Sequence, residues 1–473
     1  MRRIFKLAAL GSALLLAGCA TVQIDDAVRR ANAQTTPFSQ GKLELLRSPE
    51  QEQARGRLAA QLLGEPVSMD AAVQIALANS ASLQALLAQS WADLSAANQA
   101  GRIGNPLFTF ERMRFGDELE LGRLLSVGLL DLLTFPQRQA IARMHQEQAQ
   151  LQLASTVVEQ VSRVRASWVR AVAAQQLLSY AAQVKVAAEA GAELARRMQQ
   201  AGNFTKLQRA REHAFYADAT AQLAAAQHAA TAAREELVRA LGLDDAQAQR
   251  LKLPERLPEI PVQVRAPADI GASAMQQRLD WQIARLQLEA ASKRQGLNLV
   301  TSLTDVELGG RHDTVFDNAT GTRTNRNGFE LDVRLPLFDW GDAQRAAFDA
   351  QTLVAANRYE AVTRSATSQL RESYSAYRTA YDLARHYRDE IVPLRKTISD
   401  ENVLRYNGML IGAFELLADA RDQVASVMAA INAQQQFWLA DAALSAALMG
   451  RPIAPVTPSA ASAATPANDT QAH

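Results

Sequence analysis

The groups with most to offer chemically are one thiol, Cys19, and six histidines: His145, His213, His228, His312, His386 and His473. A zinc site needs several such side chains converging within a few ångströms, which on one helix means a spacing of three or four residues. No pair of these histidines has that spacing. His213 and His228 fall on roughly one helix face, but about 22 Å apart. A single cysteine excludes an internal disulfide and any Cys-rich zinc or iron–sulfur centre. Met198, Met409, Met428 and Met449 could line a path for a soft metal, yet methionines scattered along helices more often fill packing gaps. Gly309-Gly310 reads as a strand-end turn. No Walker loop, dinucleotide fingerprint or Gly-x-Ser-x-Gly elbow is present. The sequence thus predicts no catalytic residue, no metal site and no cofactor, and it reads as a non-enzyme.

Cys19 is the exception, because its position carries a chemistry of its own. Arg2, Arg3 and Lys6 precede a short apolar stretch, Leu7 to Ala17, too short for a stable membrane span and the right length for a secretory signal. The stretch exits through Leu16-Ala17-Gly18-Cys19, which resembles the bacterial lipoprotein box. Small residues at 17 and 18 let the backbone enter a peptidase cleft, and the thiol is the nucleophile that accepts a diacylglycerol. The plainer reading is an ordinary signal with an incidental cysteine. Lipidation is favoured because the chain's only cysteine stands at the one position this chemistry requires. Residues 1–18 are then a signal peptide, and the covalent lipid on Cys19 is an anchor. Ala20 is not the aspartate that retains lipoproteins at the inner membrane, which points to the outer membrane.

The elements behind these residues follow from composition and periodicity. Fifty basic and 49 acidic side chains leave a formal charge of +1, without the basic excess of a nucleic-acid-binding protein. Aromatics are only 6%, and recurrent alanine and glutamine suit long packed helices. After an irregular segment (19–67) two similar repeats follow, 68–242 and 271–450, joined by a Pro-rich connector (243–270) and followed by a tail (451–473) whose composition implies disorder. Pro254, Pro258, Pro261 and Pro267 forbid helix in the connector's LPERLPEIPVQVRAP stretch and imply an extended chain there. In the first repeat a helix runs from Ser68 to Ala100, strands lie near 104–115 and 117–131, a helix spans Gln137–Ala201, and a return helix follows Gly202-Asn203. The second repeat has a helix over 271–296, strands near 297–312 and 327–338, a helix from Asp342 to about Tyr406, a break at Gly408 and Gly412, and a last helix to Met449. Helices of about 65 residues would extend close to 100 Å, with the glycine-marked turns as a tip far from the strands. The run Val157, Val161, Val164, Trp168 and Val172 predicts a packed seam.

The strand assignments rest on alternation. Phe329, Leu331, Val333, Leu335 and Leu337 alternate with Glu330, Asp332, Arg334 and Pro336. Leu119, Leu121, Leu125 and Val127 likewise share a parity, with Arg123 as the exception and Leu124 breaking the other side. Segments of about ten such residues match membrane-barrel strands. Phe108, Phe110, Phe135, Phe338 and Trp340 lie near strand ends, where interfacial aromatics belong. Four strands cannot close a barrel, so several copies are required.

Together these features resemble the outer membrane efflux protein family, the TolC type, in its lipidated branch. The resemblance covers roughly 68–450 and is most specific in VRLPLFDWGDAQ (333–344) and LRYNGMLIGAFELLADAR (404–421), with TFPQRQ (134–139) and AGNFTKLQRAR (201–211) in the corresponding places. It implies a mainly α protein with a small β part: two repeats of long antiparallel coiled-coil helices and four transmembrane β-strands per chain, closing a twelve-stranded barrel as a homotrimer in the outer membrane of a Gram-negative bacterium. It also implies a periplasmic adaptor and an inner-membrane pump as partners, with no nucleic acid. At the tip it places an acidic ring at Glu415. The second acidic position falls on Ala418, with Asp419 beside it, because this chain is one residue longer there. Arg405 and Tyr406 could bond across a closed tip, and could equally be an exposed helix end. The tip wording is faintly similar to members associated with metal resistance, and drugs, metal ions or secreted peptides all stay open as cargo. The main alternative is a lipid-anchored structural or adhesive coiled-coil rod without a channel. An outer-membrane hydrolase stands well below both.

Overall fold

The computed structural model describes residues 24–265, 275, 277–301 and 305–452. Cys19, its signal peptide and the tail from 453 lie outside the described residues. The order is α1 (Ile24–Ser39), α2 (Pro49–Leu62), α3 (Met69–Asn79), α4 (Ala81–Ala100), β1 (Leu107–Phe115), β2 (Glu118–Gly128), α5 (Leu129–Gln200), α6 (Lys206–Leu241), α7 (Asp245–Arg250), α8 (Leu279–Thr301), β3 (Val306–Asp317), β4 (Thr322–Val333), α9 (Asp342–His386), a π-helical turn (Tyr387–Ile391), α10 (Val392–Asn407) and α11 (Ala413–Leu448). Helix, two strands, long helix and return helix therefore occur twice, as the repeat predicts. The protein is mainly helical with one small antiparallel sheet.

The elements fall into two compact units. One comprises Ala85–Ala154, Leu279–Arg364 and the described residues up to Ala31; the other comprises Asn32–Gln84, Ser155–Arg278 and the described residues from Ser365. The first unit holds the sheet, in the order β1-β2-β3-β4, with every neighbouring pair antiparallel. Here α8 runs antiparallel to the start of α9: Trp281 stacks obliquely on Tyr359 at 5.8 Å, and Gln295 donates to Asp349 at 2.6 Å.

The second unit contains the predicted seam. Val157, Val161, Val164, Trp168 and Val172 are all buried, and the Trp168 indole donates to the Val67 carbonyl at 2.8 Å. Each such side chain contributes about 1.5–3 kcal/mol by leaving water. The connector is clamped onto helices by side chains. Tyr381 donates to the Val262 carbonyl and Tyr374 to that of Arg265, while the Tyr377 hydroxyl accepts from the Arg265 N–H. From α11, Trp438 and Gln434 both donate to Pro258. Tyr377, Tyr381 and Phe437 pack under Ile260 as an apolar core. Arg265 forms an ion pair with Asp441 at 3.0 Å and donates to Ser445.

Several sequence expectations need correction. The stretch 19–67 is not irregular where it is described. Ser48 caps α2 in a reciprocal box with Gln51, with Pro49 in the first turn, a signal present in the sequence and overlooked. The Asn32 side chain closes the loop after α1 by bonding both polar atoms of Leu43. Arg165 donates to the Phe38 carbonyl and lies over its ring at 4.7 Å. The helix expected over Ser68–Ala100 breaks at Ser80, where the extended backbone is held by the Asn79 amide donating to Gly242 and Gln247. Within 243–270 a short helix precedes the prolines, with Asp244 and Gln247 making a capping box for α7, and 251–265 contain no helix.

The long helix starts at Leu129, eight residues before the predicted Gln137, and takes in Pro136. Thr134 there bonds back to the Leu130 carbonyl. The second hairpin is shifted relative to the predicted 297–312 and 327–338. Residues 297–301 continue α8, and the turn falls at 318–321, where the Asp317 carboxylate accepts from the N–H groups of Ala319 and Thr320. Gly309 and Gly310 lie inside β3 and not in a turn. A Cβ on Gly309 would meet the Leu124 side chain at 2.6 Å. The helix from Asp342 is interrupted at Tyr387–Ile391, two residues before Pro393. A proline cannot donate and crowds the carbonyl four residues back; the wider turn, with Val392 donating to Tyr387, relieves that clash.

Candidate pore wall and helical turns

The register of the sheet sorts its side chains by chemistry. Directly paired residues share a face, so Phe108, Leu125, Gly310 and Phe329 form one row across four strands. The same face carries Phe110, Val127, Leu308, Leu331 and Val333 near the helix-connected ends. These apolar side chains are exposed, Phe108 at 61% and Phe329 at 83%. Both alternating sets read from the sequence fall on this one face. Every acidic residue of the four strands lies on the other: Glu111, Glu118, Glu120, Glu307, Asp313, Asp317, Glu330 and Asp332. After β4 the exposed apolar series continues through Leu335, Leu337, Phe338 and Trp340.

The acidic face is organised around Arg311. Its guanidinium reaches Asp313 at 2.9 Å, Glu111 at 3.1 Å and Glu330 at 3.5 Å, joining β1, β3 and β4. It crosses over β2 at Gly122, where a Cβ would stand 3.2 Å from the Asp313 carboxylate and 3.4 Å from the guanidinium. No side chain other than hydrogen leaves that passage open. β1 and β4 are the edges of the sheet, each paired on one side only among the described residues.

The helix turns belong to the other unit. Gly202 adopts φ +82° to end α5, Asn203 donates to the Met198 carbonyl, and Thr205 caps α6 reciprocally with Gln208. In the second repeat the left-handed position is not Gly408, at φ −78°, but Met409 at φ +61°. Met409 is 93% exposed, and Leu410 beside it donates to the Arg405 carbonyl. Gly412 is the N-cap residue of α11. The two turns meet where Phe204, Ala195 and Ala413 form an apolar cluster with Met198 and Phe414.

Beside that cluster sits an ion pair that sequence reasoning missed. Arg421 of α11 reaches Glu212 of α6 at 3.2 Å, and Glu212 is buried. The guanidinium also faces the rings of Phe215 and Phe414 at 5.7 and 5.9 Å. Arg421 closes the motif read from 404–421, but pairing across some two hundred residues leaves no local signal. Glu415 is exposed in the first turn of α11, where a carboxylate suits the helix dipole. Arg405 and Tyr406 are exposed in the last turn of α10. Asp419 departs from its predicted role. It is buried, with one carboxylate oxygen lacking a hydrogen-bond partner, and so presents no acid to solvent. Asp419 lies on the packed side of α11, with Ala413 and Ser426.

Comparison with known proteins places this geometry. No family model and no curated protein matches the sequence. Solved structures do match. The Campylobacter jejuni CmeC outer membrane channel superimposes with a TM-score of 0.66 at 14% identity, over 85% of this chain and 86% of CmeC. For CusC, solved in a study of folding and transmembrane channel formation, the TM-score is 0.65 at 15% identity, over 83% of this chain and 92% of CusC. The fold is that of the outer-membrane channels. The Neisseria gonorrhoeae MtrE outer membrane channel, in its open state, gives 0.62 at 19% identity, over 84% and 90% of the two chains. The channel fold thus spans most of this protein and nearly the whole of each relative. At this identity the likeness concerns the backbone arrangement; the site residues rest on their own geometry.

Proposed function

We propose that this chain is one subunit of a trimeric outer-membrane duct, passively conducting small molecules or ions delivered by a periplasmic adaptor and an inner-membrane pump. The observation that carries the reading is the sheet: one face apolar and exposed toward the helix-connected ends, the other holding every strand acid, with two edges open among the described residues. In hydrocarbon each unpaired backbone group costs several kcal/mol, so the edges must find partners. Edge-to-edge closure of three copies supplies twelve strands, enough for a barrel with acids toward the lumen and apolar residues toward lipid. A structural rod has no use for such a sheet. Cys19 adds the lipid anchor, leaving the barrel to span the membrane. At the helical turns, Glu415 provides an acidic ring, and Arg405 and Tyr406 bond across it in a closed state, with Gly202, Gly408 and Gly412 shaping the tip.

Planar-bilayer recording of the purified full-length protein tests this reading. The wild type is expected to give cation-preferring conductance, and Glu415→Ala to weaken block by divalent cations without loss of thermal stability. Absence of conductance in both the wild type and variants with the tip opened by substitution at Arg405 and Tyr406 would remove the channel.

A further inference from the structure

The lipid-side face assigned above is not apolar along its whole height. Toward the two hairpin turns its rows change character. Register places Arg123 and His312 in one row, Arg112 with Leu121 in the next, and Arg114 and Arg323 in the last. No acidic strand residue shares the face with them. Arg112, Arg114 and Arg323 are exposed, and Arg123 is half-exposed. Among the described residues none of these four arginines forms an ion pair; Arg323 lies over the Phe316 ring at 5.4 Å. Arg311 and Arg326, by contrast, lie with the acids on the opposite face. The arginine rows span about 14 Å along the strands and continue directly from the apolar row of Phe108 and Leu125, with Phe110 paired to Arg123 at the boundary.

We propose that this belt binds the headgroup phosphates of lipids in the outer leaflet. The inference rests on the barrel reading, which turns this face toward lipid and the hairpins away from the periplasm. A guanidinium at that height cannot sit in hydrocarbon unpaired, and its fork matches two phosphate oxygens. The adjoining apolar rows select an anion that carries acyl chains, since a free phosphate would use only half the surface. Arg112, Arg114 and Arg323 are paired in register with Leu121, Leu119 and Phe316, apolar neighbours along which long stems let the charged ends reach the headgroup layer. The other face has the opposite charge and would repel the same ligand.

Native mass spectrometry of the full-length trimer, with bisphosphorylated lipid A as the probe, tests the assignment. Replacing Arg112, Arg114, Arg123 and Arg323 by glutamine should lower lipid retention about fivefold for each arginine removed. The matching lysine variants should retain most of the binding, and Glu118→Gln with Glu120→Gln, on the other face, should leave it unchanged. Resistance to carbonate extraction, measured on the same samples, reports whether each variant is inserted. An inserted glutamine variant that holds lipid A like the wild type overturns the proposal. Equal retention of dephosphorylated lipid A by the wild type overturns it too, as does equally tight binding of inorganic phosphate, which would mark a free-anion site. A wild type that is itself extracted by carbonate overturns the barrel reading beneath it, a result distinct from the others.

Discussion

Arg421 and Glu212 show how one pair can hold two repeats together. Glu212 is buried and Arg421 is its ion-pair partner, so Arg421→Ala leaves a carboxylate without compensation. The expected loss is about 3 kcal/mol, with Glu212→Gln partly restoring stability in the double variant. Thermal unfolding of the four proteins measures it, and additive losses would contradict the pairing. Asp441 offers a pH test. Burial raises its carboxyl above the ordinary value of 3.8, against the opposing pull of Arg265 and Arg165; Tyr377 is the other titratable group near it. A raised acid stabilises the fold below its unfolded value and loses that contribution as pH rises through the folded one. Asp441→Asn, fixed in the neutral form, should therefore gain in Tm relative to the wild type as pH rises from about 4. A gain that grows on acidification would reverse the sign and refute it. These sites were only partly legible. Glu415, which the family resemblance of the tip motif singles out, stands exposed, whereas the burial of Asp419 and the partner of Glu212 depend on contacts no local pattern encodes.

At the scale of elements, alternation located the strands because their apolar parity survives in both halves. It failed at the second hairpin because Thr322 to Gly328 are polar or glycine on both parities, which erases the period. The two prolines mislead in opposite ways: the expected helix begins only after Pro136, which the fold absorbs, and runs unbroken past Pro393, where a π-helical turn intervenes. The capping boxes of α2 and α7 were present in the sequence and passed over. Gly122 deserves its own measurement. Gly122→Val would drive a branched side chain into the Arg311 bridge and separate Glu111 and Glu330 from it. The expected result is a protein less resistant to heat in detergent by about 1–3 kcal/mol per chain. Arg311→Met in the same background should recover part of it; no change in either variant would mean the bridge is idle.

For the whole molecule, no single feature of composition announces the fold of the outer-membrane channels. No single described helix is long and apolar enough to cross a bilayer, and the mean hydropathy is −0.15. The exposed apolar surface is spread thinly over short strands far apart in sequence, and only their register gathers it. The two sheet edges, each unpaired among the described residues, have a genetic consequence. If the ring is completed by three chains, a subunit with proline substituted at Arg326 on the free edge of β4 can still offer β1 to a neighbour and then block completion. Expressed in equal amounts with the wild type, it should leave only about one assembly in eight free of a defective member. Such an allele would act dominantly, and the resistance or export phenotype of a mixed cell would fall far below half. A phenotype that falls only in proportion to the wild-type share would mean that each chain works alone.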